Sequence, residues 1–228
     1  MHGQFRPCRG LDDPASGRGL FRHVLGRIAE KRLSVGTHAA GRMADPAVRA
    51  LVDEIRSYEE EMCKAERMYR EGVLPKRICH CDTKVNNMLF DREGNILCVI
   101  DLDTVMPSFV FSDFGDFLRT AANTGAEDDP DLDKVDFNME IFRSFAKGYL
   151  STAGSFLTPV ERENLPFAAT LFPYMQAVRF LADYINGDTY YKIKYPEHNW
   201  VRTRAQWKLF LAARSRMDEM AAFIASAE

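Results

Sequence analysis

Apolar residues recur at helical spacing along most of this chain. Leu20, Phe21, Val24, Leu25, Ile28 and Ala29 predict a helix over 19–33, whereas residues 1–18 show no periodicity and read as disordered. After a loop through Ala44, Asp45 is set to cap a strong helix with Pro46 at its first position. Its stripe is Val48, Leu51, Val52, Ile55, Tyr58, Met62 and Ala65, and Gly72 ends it. Ser112 to Ala122 predicts another helix, with Phe114, Phe117, Leu118 and Ala121 on one side. Val135 to Leu150 predicts the next, carrying Ile141, Phe142, Phe145 and Tyr149. Thr158-Pro159-Val160-Glu161 is a capping box opening a helix toward Asn186-Gly187, which Pro166 and Pro173 kink or split. A last helix, about 200–225, carries Trp207, Phe210, Leu211, Met217 and Phe223.

Between Ile78 and Asp103 the period changes. The stretch reads as strand, tight loop, strand, turn, strand: Ile78-Cys79 enters the loop and Asn87-Met88-Leu89-Phe90 leaves it. Gly94 sits in the turn 91–95, where positive φ is needed, and Ile96 to Ile100 is a continuous apolar strand ending on Asp101. Acidic and amide side chains therefore fall where adjacent strands begin and end. That arrangement suits a divalent metal and a phosphate.

Composition narrows the class. At 228 residues, 46% hydrophobic and net charge −3, the chain has ample material for a core. Its charge is too small to argue for nucleic acid or an anionic membrane surface, and no apolar run reaches the length of a spanning helix. The polar start Met1-His2-Gly3-Gln4 is no secretory signal, and five irregularly spaced cysteines fit reduced thiols in the cytoplasm.

The spacing His80-x-Asp82-x-x-x-x-Asn87 is the catalytic-loop pattern of kinases, in which the Asp takes the proton of the attacking hydroxyl and the Asn holds Mg²⁺. Asp101 supplies a second carboxylate at the strand end. Asp103 follows it on the same side if the strand persists, for a second metal or a loop amide. Asp113-Phe114-Gly115 spells the protein-kinase metal motif, but it lies twenty-six residues past Asn87, too far to be the next strand end, and is rejected as the metal ligand.

At these residues the chain resembles the aminoglycoside-phosphotransferase branch of the kinase-like fold, and within it the bacterial N-acetylhexosamine 1-kinases. The resemblance rests on the run 80–87, on Val99 to Pro107, on Ser112 to Asp116, on Arg179 to Tyr184 and on Gly187-Asp188, and it covers roughly residues 38 to 215. Cys81 departs from it, standing where that family usually has Asn, and Ser108-Phe109-Val110-Phe111 is an unusual variant. The resemblance implies ATP as phosphate donor, Mg²⁺ on Asn87 and Asp101, and an N-acetylhexosamine whose anomeric hydroxyl is phosphorylated. It further implies Lys84 against the transferred phosphate and Asp113 as a brace of the catalytic loop. Arg179, Asp183 and Tyr190 are the sugar-site residues it suggests.

The expected fold class is therefore α+β and mostly helical. Residues 38–228 would form a kinase-like C-terminal lobe with a small β-hairpin carrying the catalytic loop, and 1–37 a segment with one helix. The nucleotide lobe is missing from this reading: nothing before Ile78 alternates like a sheet, Gly17-Arg18-Gly19 lacks a third glycine, and Ile28-Ala29-Glu30-Lys31 lies in the helical pattern.

Each residue has a plainer reading beside the chemical one. His80 orients the loop by hydrogen bonding, and Asp82 could be a turn former. Asp113 could be a helix cap. Arg179 and Asp183, four apart, could be a structural ion pair, and Tyr184, Tyr191, Tyr195 and Trp200 packing residues. Cys79-His80-Cys81 suggests zinc, yet strand alternation splits the thiols from the imidazole and no second ligand pair follows. The run 127–133 lacks the glycine and distal Glu of a calcium loop and reads as solvated. The acceptor could instead be an aminoglycoside, a choline-like compound or another small alcohol. A non-catalytic fragment is the reading from a different class.

Overall fold

A computed structural model describes residues 41–227. The helix expected over 19–33 and the whole of segment 1–37 lie outside the described residues.

Asp45 caps the first helix, its carboxylate accepting from Ala47 N at 2.8 Å with Pro46 at the first position. The long helix expected to reach Gly72 is instead three pieces, α1 (Pro46–Ser57), α2 (Glu59–Met62) and α3 (Lys64–Arg70). The first break has an identifiable cause. Tyr174 donates its hydroxyl to Ile55 O at 2.9 Å, and Tyr58 N closes a tight turn onto the same carbonyl. A hydroxyl inserted into the ladder bends a helix. The stripe still faces inward, with Val48, Val52, Ile55, Met62 and Ala65 buried. Gly72, at φ 74°, terminates α3 in the left-handed conformation that favours glycine.

Four short strands follow: β1 (Arg77–Cys79), β2 (Met88–Phe90), β3 (Ile96–Val99) and β4 (Met106–Ser108). They form two antiparallel pairs, β1 with β4 and β2 with β3. Strand β4 was not foreseen, because Met-Pro-Ser carries no alternation. The apolar run 96–99 is a strand, but all four of its residues are exposed.

The helical layer is α4 (Phe111–Ala121), α5 (Met139–Ala153), α6 (Pro159–Glu163), α7 (Leu165–Ile185), α8 (His198–Arg214) and α9 (Met217–Ser226). Asn138 caps α5 through Glu140 N and Ile141 N, which starts that helix four residues later than the apolar stripe alone suggests. The capping box at Thr158 and Glu161 is present in both directions. The helix it opens lasts five residues, and Pro166 then sits in the first turn of α7, so it starts a helix rather than kinking one. Pro173 lies within α7 without ending it. The single last helix expected is broken at Ser215 and Arg216 into α8 and α9.

Helix α7 is the axis of the core: it packs against α4 on one side and α8 on the other, and most of its residues are buried. Phe111, Phe114, Phe142, Tyr174 and Phe210 are fully enclosed around it. Each such side chain contributes on the order of 1.5–3 kcal/mol by leaving water. Gly115 makes the α4–α7 approach possible, since a Cβ there would lie 2.3 Å from Ala168 O and 2.6 Å from the Phe172 ring. Gly115→Ala is accordingly expected to lower stability by about 1–3 kcal/mol, read as a reduced urea midpoint. An unchanged midpoint would mean that the two helices have room to separate.

Candidate active site

The loop from His80 to Asn87 is held from behind. Asp113, in the first turn of α4, accepts His80 N at 3.0 Å on one oxygen and Cys81 N at 2.8 Å on the other. Cys81 takes φ 66°, the left-handed region, which turns the chain so that both amides reach one carboxylate. Thr83 donates to Asp113 O at 2.7 Å, Val85 N to Thr120 Oγ1 at 3.2 Å, and Thr104 to His80 O at 2.7 Å. Asp82 N–H donates to His80 Nδ1, which leaves Nε2 as the protonated nitrogen that donates to Ile100 O at 2.9 Å. Both imidazole nitrogens are thus engaged within the loop and its neighbouring strand.

This scaffold brings four side chains together. Asn87, buried, donates Nδ2 to Asp82 Oδ2 at 2.9 Å and lies 3.5 Å from Asp101 Oδ2. Lys84 Nζ is 2.6 Å from Asp82 Oδ2 and 3.9 Å from Asp101 Oδ2. Asp82 and Asp101 remain partly open to solvent. One amide and two carboxylates around an opening suit Mg²⁺, which takes one or two protein carboxylates and completes its shell with substrate phosphate and water. Closed cages are a different matter: among the described residues no group of three or more His, Cys, Asp or Glu side chains could hold a metal ion.

Asp103 requires a correction. The strand ends at Val99 and Asp101 turns left-handed at φ 67°, so the alternation that would align Asp103 with Asp101 is lost. Asp103 is exposed in a 3₁₀ turn spanning Leu102–Thr104.

A cavity of about 680 Å³ runs from Asp82 and Lys84 to the start of α8, a size that suits a small organic ligand. Arg179 and Tyr190 line it, as do Tyr191 and Arg202. Asp183 does not. Its carboxylate is buried and accepts Thr189 N, Tyr190 N and Tyr191 N, each at 2.9 Å, together with Asn199 Nδ2. Asp183 therefore positions the aromatic loop instead of facing a ligand, and it forms no ion pair with Arg179.

Sequence reasoning overlooked the opposite wall. Asp116 and Arg119, one helical turn apart on α4, are both buried and paired at 2.9 Å, and Arg119 also binds Glu127 at 2.6 Å. Burial pushes the Asp116 carboxyl up, against the pull of Arg119. Their spacing after Asp113 was the available signal. Glu127 sat in the run read as solvated, but its neighbour Asp128 is held by His198 at 2.8 Å and Lys194 at 3.0 Å. These hydrogen bonds hold the Asp128 carboxyl at about 2 and tie the loop to the start of α8.

A family model described as the phosphotransferase enzyme family matches residues 20–148 of this sequence. The chain belongs to that family. Family membership suggests a phosphotransferase, and the match spans Asp82, Asn87, Asp101 and Asp113 alike. It stops short of α7 and α8, so the wall formed by Arg179, Tyr190 and Arg202 rests on geometry alone.

Two predictions follow from this geometry. Asp113→Ala leaves two loop amides without their acceptor and is expected to cost about 1–3 kcal/mol, together with most phosphotransferase activity; full activity in that variant would show that the loop holds its shape unaided. Burial pushes the Cys79 thiol up to about 12, and Cys81 is raised for the same reason, whereas Cys98 is exposed. Iodoacetamide at neutral pH should therefore label Cys98 well before Cys79, a ranking that peptide mass spectrometry reads directly.

Proposed function

We propose that this chain transfers the terminal phosphate of ATP to the anomeric hydroxyl of an N-acetylhexosamine. The observation that carries the reading is the convergence of Asp82, Asn87 and Asp101 at one end of a ligand-sized cavity. Family membership supports phosphoryl transfer, and the aromatic and amide groups at the other end of the cavity support a hydroxylated ring as acceptor.

In this mechanism the acceptor hydroxyl lies against Asp82. Its oxygen attacks the terminal phosphorus, the bond to the bridging oxygen breaks, ADP departs and the proton passes to the Asp82 carboxylate. Lys84, already 2.6 Å from Asp82, is in reach of the transferred group and offsets its charge. Asn87 and Asp101 would hold Mg²⁺, which when bound neutralises the nucleotide phosphates. Asn87 also fixes Asp82 by donating to both its carboxylate and its carbonyl.

A second reading draws on the exposed apolar surface of β2 and β3, where Ile96 and Leu97 are each 63% accessible. Surface of that kind marks a contact face, which favours a chain that turns over slowly unless a further nucleotide-binding unit is present.

The test is sugar 1-phosphate formation from ATP and N-acetylglucosamine with Mg²⁺, followed by phosphorus NMR. Asp82→Asn is expected to lower kcat by about 10²–10⁴ with sugar binding retained. An Asp82→Asn enzyme as fast as wild type would remove Asp82 from the chemistry.

A further inference from the structure

Five cations among the described residues line the cavity, and of these Lys76 lies over the Tyr69 and Phe109 rings and within electrostatic reach of Glu66, while two others are ion-paired. Lys84 faces Asp82, and Arg119 is held between Asp116 and Glu127. Arg179 and Arg202 differ: among the described residues neither has a carboxylate partner. Arg179 reaches only Gln176 Oε1, at a long 3.4 Å, and lies over the Tyr191 ring at 5.7 Å. Arg202 donates to Lys192 O at 3.2 Å and Asn199 Oδ1 at 3.1 Å, lies over Phe180 at 5.2 Å, and buries its Nε without a hydrogen-bond partner. The rings of Phe180 and Tyr191 touch at 4.8 Å, so one aromatic pair carries both guanidiniums. The acid nearest Arg179 in sequence, Asp183, is consumed by the loop behind it.

Two guanidiniums without counter-ions, lining one cavity, select by charge. An ammonium brought there meets like charge in a partly desolvated site. A carbonyl or carboxylate oxygen receives charge-assisted hydrogen bonds from planar donors that aromatic faces hold in place. We propose that Arg179 and Arg202 form a subsite for an oxygen-bearing, non-cationic substituent of the acceptor, and that amine-bearing acceptors are rejected there. This deepens the sugar-kinase reading and rests on it for the identity of the cavity as the acceptor site. It places Arg202, which no sequence motif pointed to, among the residues that determine specificity.

Calorimetric titration of the full chain without nucleotide tests it, using three sugars alike in ring size: N-acetylglucosamine, glucuronic acid and, below its amine pKa, glucosamine. The acyl and carboxylate arms separate the two kinds of oxygen, and at least one is expected to bind about tenfold or more tighter than glucosamine. Arg202→Gln should shrink that preference about tenfold, by weakening the oxygen-bearing sugar and easing the repulsion on glucosamine, and Arg202→Lys should restore part of it. A urea midpoint near wild type for each variant separates lost contact from lost fold. Equal binding of all three sugars, binding of none, or an equal loss on all three in Arg202→Gln would overturn the proposal. Binding is read without turnover, so a chain that shows the preference but transfers no phosphate sinks the kinase reading and leaves the subsite standing. Phosphorylation of glucosamine and N-acetylglucosamine at equal efficiency sinks the subsite alone.

Discussion

The Asp113 carboxylate accepts two consecutive backbone amides, His80 N and Cys81 N, and the geometry of the site follows from that contact. In an extended chain neighbouring amides point to opposite sides, so two of them reach one carboxylate only where the chain turns. Cys81 at φ 66° is that turn. A non-glycine residue in this region costs about 1–2 kcal/mol, and charge-assisted hydrogen bonds from the backbone are of a size to offset it. Asn tolerates the left-handed region better than most residues, which gives a physical reason for its usual presence here in the family that the sequence resembles. With the turn fixed, Asp82 is presented to the cavity and Asn87 folds back onto it.

The brace depends in turn on where α4 sits, and Asp113-Phe114-Gly115 divides that task among three residues. Asp113 holds the loop, Phe114 is fully buried against Phe142 and Tyr149, and Gly115 admits α7. A triplet that imitates a metal-binding motif is thus an anchor between the core and the loop 80–87. The aromatic wall is held by similar means. Asp183 is deep in α7, and its carboxylate collects the amides of 189–191, as Asp113 collects those of 80–81. Two buried or half-buried carboxylates on two packed helices each fix one loop, and the cavity lies between those loops.

Much of this was legible in the residues. Helices with a cap and a clean stripe were readable, such as the one Asp45 starts, because local sequence decides where they begin. Where that helix breaks was not, since the break depends on Tyr174 reaching Ile55 O from 119 residues away. The cluster of Asp82, Asn87 and Asp101 could be anticipated because strand ends placed it. Asp103 was misjudged because a left-handed turn at Asp101 ended the strand early. Asp183 was expected as a sugar contact on the strength of the resemblance, yet a shared motif cannot tell an acid facing a cavity from one consumed by its own loop. Arg202 escaped notice because its setting, Phe180 from α7 and Asn199 from its own helix, exists only after folding.

The exposed hairpin poses a last question of mechanics. A two-stranded ribbon with one bulge and exposed apolar residues is marginal as an isolated unit, yet Asp101 follows directly from it. What holds Asp101 is the residue before it. Ile100 N donates to Asn87 O at 2.9 Å, and Ile100 O accepts from the His80 ring at 2.9 Å. Both bonds lead into the loop 80–87 and so to Asp113. The peptide at the base of the hairpin is tied on both sides to the loop that holds Asp82 and Asn87. His80 therefore acts as a strut between loop and strand, which accounts for a histidine at this position with no proton transfer assigned to it.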